Sequence, residues 1–258
     1  MLPTLFLSHG SPMHALDAGA AGAVWAQLAQ SIPKPAAVLI VTAHWETRLP
    51  MLSGNALPPM IYDFGGFPDA LYRIQYAAPG SADVAKRASA LLTAAGIDAA
   101  IDHQRGLDHG TWVPLLKMYP EANVPIVQLS VQPALGTAHH LQLGRALASL
   151  RNENVLIVGS GHLTHNLRDW MAGNLVLGEN NYAEQFQAWM FDRIKARDID
   201  ALLAYRERAP HAVRAHPSEE HLLPLFVALG AASENFAAER VYAGFEGAVL
   251  AMDAYRFT

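Results

Sequence analysis

Three short apolar runs that each stop at a histidine restrict the fold more than any other feature of the chain. "LPTLFLSHG" (2–10), "VLIVTAHW" (38–45) and "VLIVGSGHLTHN" (155–166) are apolar at consecutive positions, then turn polar. A strand with one wet face alternates apolar and polar residues. A continuous apolar run belongs instead to a parallel sheet covered by helices on both faces. In open α/β sheets, ligands bind beyond the carboxyl ends of the strands. If the three runs are neighbours in one sheet, His9, His44 and the pair His162/His165 meet at one rim.

The rest of the chain alternates in the same way. Helices are predicted over 14–30, 81–95 (closed by Gly96), 136–150, 182–197 and 199–208, and a further strand over 124–131. "HPSEEHLLPLFVALG" reads as a helix over 216–230, with Ser218 as its N-cap and His221 in its first turn. A helix N-terminus disfavours imidazolium, so His221 would be neutral and able to bind a metal. Residues 240–257 read as two terminal strands. Residues 46–80, rich in Pro, Gly and aromatics, form a long irregular stretch of the kind that serves function. "GLDHGTW" (106–112) is a turn-rich loop that carries His109. The expected fold is α/β: a central, mostly parallel or mixed sheet flanked by helices, with the site at the strand C-terminal ends and one catalytic domain over 1–258.

Composition removes several classes of function. Net charge is −5 with Lys and Arg scattered, which argues against nucleic acid or an anionic membrane surface as partner. No apolar run reaches the ~18 residues of a membrane span, and no secretory leader is evident, so a cytoplasmic location is expected. Without cysteine there are no disulfides or thiolate sites, and any metal must be held by imidazole and carboxylate. The chain has 12 histidines. Of these, His14, His103, His139, His140 and His211 are expected to face solvent, and His216, before a proline, to sit at a helix entry. There is no HExxH, no GxSxG elbow, no dinucleotide fingerprint and no P-loop.

"SHGSPM", "TAHW", "YDFGGFP", "LDHGTW", "KMYP", "PIVQLS", "SGHLTHN" and "EEHLLPL" occur in this order from residue 2 to about 250. Together they resemble the DOPA-type class III extradiol ring-cleavage dioxygenases of the LigB-like superfamily. The resemblance implies one non-haem metal, Fe(II) for activity with Zn(II) also found, and no nucleotide cofactor. His9, His44 and His221 look like its ligands. His165 resembles a fourth ligand or the catalytic base, and His109 the second active-site histidine, beside the substrate. His162 stands where relatives often have another residue and receives no catalytic role. Better-known members pair two histidines with a glutamate. Here His221 stands at that position, and Glu220, about 100° away round a helix, is not counted as a ligand. Tyr62, Phe64 and Phe67 are expected to stack on the substrate ring. The implied reaction is cleavage of a catechol, DOPA or similar, by O2 to a ring-opened semialdehyde. Two other readings use the same residues: a zinc hydrolase with metal-bound water as nucleophile, and a LigB-like binding protein with no catalytic role.

Overall fold

The structure is a computed structural model that describes residues 1–178 and 181–258. In chain order it runs β1 (Thr4–Ser8), α1 (Gly19–Gln30), β2 (Ala37–Glu46), β3 (Met51–Ser53), α2 (Asp69–Tyr72), α3 (Ala82–Ala94), β4 (Ala100–Asp102), α4 (His109–Met118), β5 (Ile126–Val131) and α5 (Gly136–Leu147). Then follow β6 (Val155–Gly161), α6 (Leu167–Ala172), α7 (Tyr182–Ala196), α8 (Ile199–Leu203), α9 (Tyr205–Arg208), α10 (Ala212–Ala215), α11 (Leu223–Ala231), β7 (Ala238–Tyr242), β8 (Phe245–Glu246), β9 (Leu250–Ala251) and β10 (Ala254–Phe257).

Eight strands form one mixed sheet in the order β4-β3-β5-β2-β6-β1-β10-β7. The four central strands, β5, β2, β6 and β1, are parallel, with Ala37 opposite Val155 and Thr4 opposite Ile157. Antiparallel pairings attach β3 to β5 and β10 to β1. Every residue of β1, β5 and β6 is buried, as a strand covered on both faces requires. Alternate side chains feed opposite layers. Leu5, Leu7, Val38, Ile40, Leu156 and Val158 pack against α1 and α4 through Trp25 and Trp112. Leu39, Val41, Val127, Leu129 and Ile157 pack against α3, α5 and α11 on the other side.

Helix α4 shows packing overriding propensity. Pro114 in its interior costs ~3 kcal/mol on propensity alone. Trp112, Val113 and Leu115 are fully buried in return. A buried tryptophan removes ~150–250 Å² from water, roughly 4–6 kcal/mol of gross transfer energy, so burial wins. Asp108 caps the helix by accepting from Thr111 N at 3.2 Å. The predicted turn-rich loop over 106–112 is therefore the start of a helix, with His109 as its first residue.

Other boundaries also differ from the sequence-based expectation. The helix predicted over 216–230 begins only at Leu223, and Ser218 caps nothing there. Pro224 has no N–H to give the Glu220 carbonyl. The His221 carbonyl accepts from His162 N at 2.8 Å instead of from its own helix. The first predicted helix starts at Gly19 rather than 14, because Pro12–Ala15 form a separate 3-10 turn capped by Ser11. The helix over 199–208 divides at Ala204, and the C-terminal segment makes four strands rather than two. The irregular 46–80 stretch contains β3 and α2, while β4, α6 and α10 had no clear sequence signal.

Candidate metal centre

The three histidine-bearing strand ends do lie side by side, with β6 between β2 and β1. His9 follows β1, and Gly10, at φ +67°, turns the chain away immediately after it. His44 projects where the ladder between β2 and β5 is irregular, between Val41 and Glu46. His221 arrives from the turn before α11. That turn sits tight on β6, where a Cβ at Gly161 would overlap the His221 carbonyl.

The result is a convergence. Ligand nitrogens of His9, His44 and His221 lie within 4.8 Å of one another. Each ring has a partner that fixes one nitrogen. Pro114 has no N–H, so the Gly110 carbonyl is left free and the Ser160 hydroxyl donates to it. The same Ser160 oxygen lies 3.1 Å from His9 Nδ1, which must then be the donor. His44 Nδ1 faces Asp63 Oδ2 at 3.3 Å, and His221 Nδ1 faces Glu220 Oε1 at 2.8 Å. Carboxylates accept, so both Nδ1 atoms carry the proton. All three Nε2 atoms are then bare lone pairs.

This is the donor set a divalent metal needs, with acceptors orienting each imidazole from behind. His9 Nε2 and His44 Nε2 lie only 3.0 Å apart, and His221 Nε2 is buried with no partner. Two bare lone pairs at that separation repel unless a cation lies between them. Nitrogens ~2.1 Å from one ion, at 90° to tetrahedral angles, sit about 3.0–3.4 Å apart. Burial, reinforced by the neighbouring imidazoles, lowers the pKa of His9 and His221 well below the usual value. Burial and His109 bring His44 to about 3, against the opposing pull of Asp63. All three are neutral at pH 7, the form that coordinates. The triad is able to hold a metal.

Around it lies a cavity of about 370 Å³. His109 lines it, with its Nδ1 at 2.9 Å and its backbone N at 3.0 Å from Asp63 Oδ1. One carboxylate thus aligns both His44 and His109. Burial would raise the Asp63 carboxyl, but its bonds to His109 hold it at about 2. His165 also lines the cavity. Its ring stacks on His221 at 3.4 Å with 13° between planes, and burial lowers its pKa to about 4. Its nitrogens group with Glu220 and His221, not with His9 and His44.

Phe64 and Phe67 form part of the wall, with Leu167, Trp170 and Leu250. Tyr62 is not brought to the cavity, and its hydroxyl donates to Ile74 O at 2.7 Å. His162 contributes its buried ring to the wall. His216 is fully buried, its Nε2 2.8 Å from Leu163 O, and ties down the 162–166 loop rather than entering a helix. His103 and His211 face solvent as expected. His140 does not: it is fully buried, its Nε2 accepting from Gln132 N at 3.1 Å. His139 and His14 are half-buried, the latter between Trp25 and Glu246. Sequence reading passed over Asp63, Ser160 and Glu246. Asp63 sits inside the quoted "YDFGGFP", where the aromatics drew attention.

Comparison with known proteins bears on the family of the chain. The family model described as the catalytic LigB subunit of aromatic ring-opening dioxygenase matches residues 3–252. A Beta vulgaris protein named 4,5-DOPA dioxygenase extradiol is 41% identical over 99% of this chain and 96% of its own length. An Escherichia coli K12 protein of the same name is 39% identical over 89% of this chain and 85% of its own. The crystal structure of an uncharacterized Escherichia coli K12 protein superposes with a TM-score of 0.83 at 32% identity, covering 100% of both chains. On a model match spanning nearly every residue and relatives of this similarity, the chain belongs to the LigB family of aromatic ring-opening dioxygenases.

Proposed function

We propose that this chain opens the ring of a 4,5-DOPA-like catechol with O2, giving a ring-opened semialdehyde, with one Fe(II) held by His9, His44 and His221. The observation that carries the reading is the set of three bare Nε2 atoms drawn from β1, β2 and the turn before α11. The relatives named 4,5-DOPA dioxygenase extradiol support the substrate class. When bound, the ion would supply Lewis-acid and redox chemistry to the reaction of the catechol with O2.

The chain's own groups do the rest. His165, neutral through burial, accepts a phenolic proton, and its stacking on His221 supports the role of base over that of fourth ligand. Such proton transfer is worth ~10²–10⁴-fold. His109 has its Nδ1–H committed to Asp63, which leaves Nε2 for the substrate oxygens. Phe64 and Phe67 cover the ring and exclude water.

The test is anaerobic reconstitution with Fe(II), followed by a catechol screen in an oxygen electrode. Oxygen uptake with a coloured ring-opened product is expected. His44→Ala is expected to lose both iron, by elemental analysis, and turnover. A wild-type protein that binds Fe(II) and consumes no oxygen with any catechol overturns the proposal. Three imidazoles also suit Zn(II), and the Zn(II)-loaded protein is expected to bind catechol without oxygen uptake.

A further inference from the structure

The cavity that holds the metal triad has a second polar feature in its wall. Glu246, on β8, lines it beside Leu250, Trp170 and Leu167. His14 Nε2 bonds Glu246 Oε1, which holds the carboxylate in place. The other oxygen, Oε2, is left for a ligand. Trp170 stands close by, since a Cβ at Gly247 would meet its indole at Nε1 and Cδ1. Among the described residues, those lining the cavity include no lysine and no arginine.

The charges decide what this part of the wall accepts. A carboxylate on the substrate's side chain finds no cation there, and it meets Glu246. An ammonium finds a fixed carboxylate, with an indole beside it that attracts cations. We propose that Glu246 is the specificity-determining residue of this site, selecting catechols whose side chain carries an ammonium group over those whose side chain is only anionic. The proposal rests on the dioxygenase reading above. His14 acts as a positioning residue behind it.

The experiment compares two probes on the Fe(II)-reconstituted protein: a catechol with an aminoethyl chain (dopamine) and its carboxyethyl counterpart (3,4-dihydroxyphenylpropanoate). Wild type is expected to favour the amine about tenfold or more in kcat/KM, the scale of one charge-assisted hydrogen bond. Glu246→Gln is expected to remove that preference by raising KM for the amine while lowering it for the carboxylate, with kcat little altered. Glu246→Asp keeps the charge and is expected to recover part of the preference, which a merely structural role would not do. Equal changes for both probes in Glu246→Gln, or a wild-type preference for the carboxylate, would overturn the assignment. A wild-type protein that opens neither ring counts against the dioxygenase reading. Calorimetric titration of the Zn(II)-loaded protein with the same two compounds still decides the role of Glu246, expected to bind the amine more tightly.

Discussion

At Ser160 one hydroxyl sits between the Gly110 carbonyl and His9 Nδ1. By donating to the first it obliges the second to donate, and so sets the tautomer that leaves His9 Nε2 bare. Ser160→Ala removes that constraint without touching the ligand. It is expected to weaken metal binding about 10- to 100-fold, the usual effect of losing an orienting partner, as read by competition with a chelator. Asp63 has a wider reach because it faces both His44 and His109. Asp63→Ala is expected to reduce metal affinity and kcat together. A variant that lost kcat while keeping its metal would place the role of Asp63 in His109 alone.

Helix α4 depends on Asp108, which accepts from Thr42 Oγ1 at 2.8 Å and from Arg105 at 2.8 Å besides capping the helix. Asp108→Ala removes a cap worth ~1–2 kcal/mol and leaves the buried Thr42 hydroxyl without its acceptor, ~1–3 kcal/mol more, while Arg105 keeps its bond to the His44 carbonyl. A loss of about 3 kcal/mol in urea unfolding is expected, with Asp108→Asn milder because it still caps. The elements differ in how legible they are from sequence. Strands β1, β2 and β6 are apolar runs that each lead to a histidine, which suggested that they are neighbours, while their order in the sheet came only from the structure. Strands β3 and β4 have three residues each, too few for any period to show. The start of α11 was misread because Ser218 and its acidic neighbours satisfy the local rule for a cap, whereas Pro224 and the bond from His162 N to His221 O decide the outcome. The convergent triad was legible because each of its histidines follows an apolar run or sits in a charged turn. Asp63 was not, because it reaches His109 across 46 positions, a contact that no local pattern encodes.

Across the whole molecule, the buried imidazoles make stability sensitive to acid. His140 has its pKa lowered to about 4 by burial, while the unfolded chain titrates near 6.5. Between those values the unfolded state binds the extra proton, so stability falls as pH drops from 6.5 toward 4. His140 alone accounts for about 3 kcal/mol by pH 4. His9, His44, His162, His165, His216 and His221 act in the same direction. Asp253, raised to about 6 by burial, opposes them over part of the range, as do Asp108 and Glu46, also raised by burial, but these carboxyls are fewer than the imidazoles. The metal-free protein is expected to unfold at lower urea at pH 5 than at pH 7, and His140→Gln to flatten that dependence.

Strand β6 and the residues after it touch the triad at successive positions. Ser160 meets His9 through its side chain, the Gly161 carbonyl accepts from His9 N at 3.0 Å, and His162 N donates to His221 O at 2.8 Å. This makes 160–162 a gauge block against which two histidines of the triad, from remote parts of the chain, are set. Adding one residue between Gly159 and Ser160 should therefore misplace His9 and His221 at once and abolish metal retention. The same addition between Glu234 and Asn235, both exposed, should leave it intact. Across relatives of this chain, length variation is expected to gather in such outlying turns and to leave the gauge uncut.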